Sequence, residues 1–408
     1  MKFLFLSGLY PKEMEKRLRD RVRSNSLQEA PNNLQWAIVD GLIENAVDFE
    51  VLSLPFLPTY PMGFQDLLTP ESLITDKGGN NIGKMLSYNS LVGYKDYSIR
   101  RVIKKSVSEW INNNGITKED KFGVLVYTEY SPFILPLISL KEKYPNMTIG
   151  VIITDLIDDN HNYSSNQSLL KRIQMKREKK LIKSVIYPRI DKFILLAAAM
   201  VEKIPEAKEK NIVVEGIYNK PINNEKTIKK RSGVLFYSGT LEDYSGIREL
   251  VDSFEKIENR NIRLEICGTG GNVDYVVNAS QRDERIKYLG VLARERVISL
   301  QQSATALINP RRPDNTITKY SFPSKTIEYM SSGTPMIGYK LEGIPDEYYN
   351  YMYLVEDMNV NSLSNTIKCV FQKSPNELEN KGREAYSFIL SKKNPHSQVK
   401  KILDFLES

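Results

Sequence analysis

"TKYSFPSKTIEYMSSGTPMIG", Thr318 to Gly338, confines a helical stretch between two sharp breaks. Pro323 and Ser324 stand where the helix begins, Ser-Gly-Thr-Pro at 332–335 ends it, and the apolar run Met336 to Tyr339 follows at once. Proline in the first turn and Gly-Thr-Pro past the last are ordinary start and stop signals of a helix. A helix that feeds directly into an apolar run belongs to a strand–helix–strand unit, and such units build parallel sheets. The stretch also holds Glu328, a carboxylate about one turn inside. Two readings stand. In one, Ser324 is an ordinary N-cap and Glu328 an acid favoured near a helix N-terminus. In the other, the amides of Ser324, Lys325 and Thr326 hold a diphosphate and Glu328 accepts hydrogen bonds from both hydroxyls of a ribose.

Working outward, the same alternation recurs. Val234–Tyr237, Ile262–Ile266, Ile286–Leu289, Ala306–Ile308 and Met336–Tyr339 are short apolar runs separated by helical patterns at 246–257, 293–303 and 324–332. The loops after these runs are alike: Ser238-Gly239-Thr240, Gly268-Thr269-Gly270-Gly271, Gly290-Val291 and Asn309-Pro310-Arg311-Arg312. In open parallel sheets ligands bind beyond the carboxyl ends of the strands. Glycine there lets backbone approach a ligand, and the two arginines point to an anionic, nucleotide-like one.

The first half repeats the pattern with Phe3–Leu6, Val51–Leu54, Phe122–Tyr127, Thr148–Ile153 and Lys192–Leu196, and with helical spacing at Leu34-Ile38-Leu42 and from Val102 to Ile111. Leu57 to Tyr94, rich in Pro, Gly, Asn and Ser, reads as a long functional loop or insertion. Composition shifts to Lys, Glu, Asn and Pro between Glu202 and Ser232, the best domain boundary in the chain. The expected organisation is 1–205, 206–390 and a terminal helix, 391–408, returning to the first domain. No repeat, coiled coil or low-complexity tract interrupts it.

Composition narrows the function. Apolar residues make up 41% and charged residues 26% of the 408. The longest apolar run, Phe193 to Val201, is nine residues, against the roughly 18–20 that cross a bilayer. The opening Met1–Leu6 reads as a buried strand rather than a signal peptide, so a cytoplasmic protein is expected. Cys267 and Cys369 form no CxxC pair and only two histidines are present, which speaks against a histidine-rich zinc site. No metal site is expected, since Asp158-Asp159 is not a DxD motif. The net charge of +7 is clustered: Lys171–Lys183 holds seven basic residues and one acidic, Lys12–Arg23 six and three. Such clusters can bind anionic lipid or nucleic acid, but a solvated helix face is their commoner meaning.

"YSGTL" (237–241), "ICGTG" (266–270), "YLG" (288–290) and "FPSKTIEYMSSGTPMI" (322–337) resemble, in order and spacing, the donor half of a family 4 GT-B glycosyltransferase. "NNLQWAIVDGL" (32–42) and "DKFILLAAAMVEKI" (191–204) are similar, more loosely, to members that build bacterial capsular polysaccharide or exopolysaccharide. The resemblance implies an α/β GT-B fold, two Rossmann-like doubly wound parallel-sheet domains facing across a cleft. It implies retaining transfer without an essential metal or cofactor, from a nucleoside-diphosphate sugar, UDP ahead of GDP. Carried over by position, Glu328 binds the ribose, Gly239 and Thr240 line the diphosphate loop with Gly268, Gly290-Val291 meet the base, and Gly8 approaches the phosphates from the other domain. Tyr320 stands where the family commonly has a second glutamate, and Ser245 where a lysine is frequent. The phosphate charge then falls to Arg311, Arg312 or Lys325. Thr154-Asp155 is the best match to a frequent histidine–aspartate pair.

For the acceptor, Asp155 and Glu129 end two first-half strands and are the candidate catalytic carboxylates, each alternatively a cap of the next helix. His161 reads as a surface residue. The expected protein is a peripheral enzyme at the inner face of the cell membrane, with a lipid-linked saccharide acceptor and no nucleic-acid partner. A nucleotide-sugar epimerase and a non-catalytic GT-B subunit are the alternatives. A dehydrogenase is disfavoured, because no GxGxxG follows the first strand.

Overall fold

A computed structural model describes residues 1–23, 27, 29–157, 169–219, 229–314 and 316–408. Asp158, Asp159 and His161 lie outside the described residues. The chain forms two compact units: 1–196 with 200–217 and 395–408, and 197–199 with 218–394.

The first unit is built on an eight-stranded sheet. Its strands are β1 (Lys2–Ser7), β2 (Phe49–Ser53), β3 (Ser72–Thr75), β4 (Asn81–Met85), β5 (Phe122–Tyr127), β6 (Met147–Ile153), β7 (Lys192–Leu195) and β8 (Asn211–Val213), in the order β3-β4-β2-β1-β5-β6-β7-β8. All pairs are parallel except β3 with β4. Every residue of β5, Phe-Gly-Val-Leu-Val-Tyr, is buried, as a strand covered on both faces requires. The expected loop from Leu57 to Tyr94 therefore contains two strands. Its polar composition hid them because β3 is an edge and leaves Leu73 exposed. The composition shift after Glu202 does not end this unit either, since β8 pairs with β7 and the unit runs on to Ile217.

The last helix, Pro395–Glu407, is part of the first unit. Val399, Ile402, Leu403 and Leu406 enter the core that holds Phe5, Ile38, Val39 and Leu42. Two glycines make the room. A Cβ on Gly41, in the helix Glu29–Glu44, would lie 2.3 Å from Val399 Cγ2, and one on Gly150, in β6, 2.4 Å from Leu406 Cδ2. Gln398 donates to the Gly216 carbonyl at 2.8 Å and fastens the helix start to the chain beyond β8.

The second unit has six parallel strands: β9 (Val234–Ser238), β10 (Arg263–Cys267), β11 (Ile286–Tyr288), β12 (Ala306–Asn309), β13 (Met336–Tyr339) and β14 (Met352–Val355). Their order is β11-β10-β9-β12-β13-β14, the Rossmann order with its switch between the first and fourth strands. Helices Val360–Phe371 and Pro375–Lys392 follow β14, the second opened by a capping box in which Ser374 and Glu377 bond each other's backbone amides. Gly382 on that helix explains the abrupt Ser-Gly-Thr-Pro corner. A Cβ there would lie 2.1 Å from the Gly333 carbonyl oxygen, and Gly333 itself adopts φ +71°, open to glycine at little cost. The corner is pressed against the helix backbone, so the chain turns at once into β13.

Candidate functional site

The crevice at the switch of the second sheet lies between the loops after β9 and β12. A pocket of about 130 Å³ opens there, lined by Tyr237, Thr240, Tyr244, Arg311, Ser324 and Lys325 among others. The stretch Thr318–Gly338 supplies one wall through its short helix, Lys325–Met330.

The two cations of the pocket differ from most in the molecule. Arg311 donates to the hydroxyls of Thr318 and Ser321, at 3.1 and 2.8 Å, and lies 5.8 Å from the Tyr244 ring. These neutral partners aim the guanidinium without cancelling its charge. Lys325 reaches over Gly239, where a Cβ would lie 2.1 Å from its Cε. Glycine at 239 leaves room for that side chain in this position. Among the described residues neither cation has a salt-bridge partner. Burial pushes both below their usual pKa, an effect that Glu328 opposes at Lys325. A half-buried cation without a counter-ion is costly and favours an anionic ligand.

Arg312 is different. It pairs with Glu249 and, at 2.7 Å, with Asp314, so of the three cations expected to carry phosphate charge this one is already neutralised. The amides also divide. Thr326 N–H turns back to the Pro323 carbonyl at 2.8 Å, whereas Ser324 and Lys325 keep theirs free of any described acceptor. Ser324 has helical φ and ψ and makes no side-chain cap, and the Thr326 hydroxyl is buried without a partner. The structure thus leaves two amides rather than three for an anion, and removes the ordinary N-cap reading of Ser324.

Glu328 is exposed and held by the buried Gln301, whose amide donates to its Oε1 and, at 3.0 Å, to Ser238 Oγ. Tyr329, next to it, points inward. Its hydroxyl accepts from Ser238 N–H at 2.9 Å and donates to the Ser238 carbonyl at 3.0 Å, and burial raises its pKa well above the ordinary phenol value. The end of β9 and the helix Lys325–Met330 are tied together by these bonds. Gln301 was invisible in sequence, because one glutamine in an amphipathic helix carries no motif. Ser245, where a lysine was noted as frequent, is buried and donates to the Glu242 carbonyl at 2.5 Å.

The remaining loops stack on one another. Gly239 donates to the Cys267 carbonyl at 3.0 Å, and Gly268 to the Gly290 carbonyl at 2.9 Å. Tyr237 donates to the Thr240 carbonyl at 2.6 Å and Tyr288 to the Gly268 carbonyl at 2.8 Å. Val291 projects into solvent, 75% exposed.

The candidates of the first unit are placed as follows. Gly8 follows β1 at the switch of that sheet, but its N–H is taken by Gln35 Oε1 at 2.7 Å and Phe56 covers it, 2.1 Å from the position of a Cβ. Thr128 takes φ +65° after β5, and the buried Glu129 accepts a hydrogen bond from the Tyr187 hydroxyl. It does not cap the helix Ser131–Lys141, whose start has no side-chain cap. Asp155, after β6, is exposed as a residue, yet desolvation pushes its carboxyl pKa up against a lowering hydrogen bond with Thr154.

Two Rossmann-like parallel-sheet units in one chain, with the pocket at a strand-order switch, define the GT-B fold. A sucrose-phosphate synthase from Thermosynechococcus elongatus shares it, with 13% identity, TM-score 0.60, and 100% of this chain and 98% of that one covered. So does a TarM variant from S. aureus in complex with Fondaparinux, alpha-GlcNAc-glycerol and UDP, with 10% identity, TM-score 0.59 and full coverage of both chains. A starch synthase IV catalytic domain from Arabidopsis thaliana bound to ADP and acarbose gives 8%, 0.61, and coverage of 100% and 99%. In sequence, residues 219–388 match the family model of glycosyl transferases group 1. No curated protein sequence matches the chain. Among the described residues no helix is long and apolar enough to cross a membrane.

Proposed function

We propose that the chain is a retaining, metal-independent glycosyltransferase that moves a sugar from a nucleoside-diphosphate sugar, a UDP-sugar ahead of a GDP-sugar, to a hydroxyl of a lipid-linked saccharide. The place for it is the cytoplasmic face of a bacterial membrane, in the synthesis of capsular polysaccharide or exopolysaccharide. The observation that carries the reading is the pair Arg311 and Lys325, unpaired cations at one switch-point pocket, with Glu328 held out by Gln301. The diphosphate takes the cations and the amides of Ser324 and Lys325, the ribose takes Glu328, and the base lies along Gly290-Val291. In the transfer, the bond from the anomeric carbon to the β-phosphate oxygen breaks while the acceptor oxygen bonds on the same face. The acceptor proton passes to the departing phosphate. Negative charge grows on the diphosphate as it leaves, and fixed cations in a sheltered pocket stabilise it. Asp155 orients the acceptor hydroxyl, and Glu129 acts through Tyr187 as a positioning group.

Calorimetric titration with UDP and GDP tests the pocket. Lys325→Met removes a charge-assisted contact of about 1.5–3 kcal/mol, so affinity falls roughly ten- to a hundredfold. The ligand-free variant stays at least as stable at neutral pH. A lysine whose folded pKa is depressed opposes folding while protonated, and that penalty fades as pH rises through the lowered value. For the same reason wild-type affinity declines with rising pH, starting below the ordinary lysine value of 10.5. A flat profile up to that pH rejects Lys325 as the phosphate contact. Glu328→Ala should weaken the nucleotide by a further loss of about 1.5–3 kcal/mol with an unchanged melt; unaltered affinity removes the ribose assignment. Turnover of a sugar nucleotide to free sugar and nucleotide, absent in Lys325→Met, separates an enzyme from a binding subunit.

A further inference from the structure

Of the 15 large apolar residues exposed among the described residues, nine lie between Phe56 and Tyr97. Seven of these, all but Phe56 and Leu73, lie on or next to one backbone knot of the first unit. Tyr60 pairs with Leu91, Leu68 with Asn89, and Val22 with Phe64. Ser90 N–H donates to the Leu67 carbonyl, and Arg23 N–H to the Gly63 carbonyl. Three segments, 21–23, 60–68 and 89–92, are therefore stitched together, and they hold Met62, Leu67, Leu68, Leu91 and Val92 out in water. Met62 is 75%, Leu68 61% and Val92 55% exposed. Tyr94 and Tyr97, their rings 5.3 Å apart, continue the surface into the helix Lys95–Asn113.

A patch of this kind is costly in solvent and marks a docking surface. Its charges say what docks. The helix Lys12–Arg21 runs into the knot, and Lys16, Arg17 and Arg23 are exposed with no carboxylate partner among the described residues. On the other side Arg101 lies one helical turn beyond Tyr97 and is exposed. Of the acids inside the knot, Asp66 pairs with Arg21 at 3.6 Å, and the exposed Asp96 accepts from the Tyr130 hydroxyl at 2.9 Å and keeps its charge, one acid against the four free cations around it. Apolar tips with tyrosines among them, rimmed by free cations, match an anionic bilayer surface, where the tips enter the acyl boundary and the cations meet the headgroups.

We infer that the knot formed by residues 21–23, 60–68 and 89–97, with the basic helix before it, is a membrane-docking surface for anionic lipid. The inference deepens the proposed function, since it rests on the reading that the acceptor is held in a membrane. It also assigns docking to a surface other than the basic helix at Lys171–Lys183.

Co-sedimentation of the full chain with phosphatidylcholine vesicles, with and without phosphatidylglycerol, tests it. Wild-type protein is expected to partition onto the anionic vesicles. Met62→Ser, Leu68→Ser and Val92→Ser together should reduce that partition roughly tenfold or more, and Arg17→Glu with Arg23→Glu should remove the preference for phosphatidylglycerol. All five positions are exposed, so the melt and UDP affinity stay as in wild type and report an intact fold. Wild-type protein that ignores anionic vesicles overturns the inference, and so does a triple-serine variant that binds them undiminished. Loss of binding confined to a Lys176→Glu, Arg177→Glu, Lys179→Glu, Lys180→Glu variant also overturns it. If light scattering shows that the serine changes dissolve a dimer instead, the patch is a self-association face and the inference falls. UDP titration run beside these arms keeps the two questions apart: vesicle binding without nucleotide binding rejects the transferase reading, not the docking surface.

Discussion

A chain ending at Asn394 loses the cooperative melt of the first unit. Residues 395–408 bring Val399, Ile402, Leu403 and Leu406 into the core, none more than 8% exposed. At about 1.5–3 kcal/mol for each buried side chain, their removal withdraws of order 6–12 kcal/mol, as much as a whole domain's net stability. The loss is compounded because Gly41 and Gly150 are notches shaped for this helix and expose backbone and cavity once it is gone. Differential scanning calorimetry and near-ultraviolet dichroism of the truncated chain read it out. A melt that overlays the full-length one would show that the helix is an ornament. Gly41→Val gives a graded check in the intact chain. Its side chain meets Val399 and the Pro395 carbonyl oxygen, the latter 2.5 Å from the Cβ position, so the helix is pushed off without being deleted.

Gly268→Ala is expected to have the second largest effect. A Cβ at 268 would stand 1.7 Å from the Gly239 carbonyl oxygen and 2.8 Å from its carbon, with φ at +139°. Backbone cannot swing aside as a flexible side chain can. A left-handed residue with a Cβ costs about 1–3 kcal/mol, and overpacking of this kind about 1–3 more. For a unit of this size that is a fall in melting temperature on the order of 10 °C. The loop after β9 must also move, and with it Gly239, over which Lys325 is threaded. UDP affinity should therefore fall together with the melt. By contrast Gly290→Ala meets nothing within 4 Å and bears only the strain of φ +69°. If both variants behave alike, the loop stack is softer than described.

What could be read in the sequence follows what each residue has to satisfy. Central strands such as β5 and β9 are covered on both faces, so they are apolar along almost their whole length and stand out as runs. Both sheets and their parallel sense were legible from those runs and the helical patterns between them. Edge strands answer to weaker demands: β3 leaves Leu73 in water, and β14 buries only its first and last residues. The first yields no continuous run, and the second, Met-Tyr-Leu-Val, is apolar but only four residues long. Arg311, Ser324 and Lys325 were drawn to one place because loops after parallel strands converge on one edge of the sheet. Whether a charge there is free is a different matter. Arg311 and Arg312 are neighbours in sequence, yet one meets hydroxyls and the other two carboxylates, from Glu249 and Asp314. Such pairings are tertiary, like those of Gln301 with Glu328 and of Tyr187 with Glu129, and no local pattern announces them.

The place of the last helix inverts the order in which the two units can be completed. As the chain emerges from a ribosome, β1 to β8 appear first, but their core lacks its closing piece until residues beyond 394 are made. The second unit, already whole by Asn394, can settle while the first still shows Ile38, Val39 and Leu42 to solvent. Domains generally fold as units during synthesis, and apolar surface left open in the meantime invites aggregation. This nascent chain carries an unfinished N-terminal half for the time needed to translate residues 218–394, and a chaperone that shelters apolar surface has its work there.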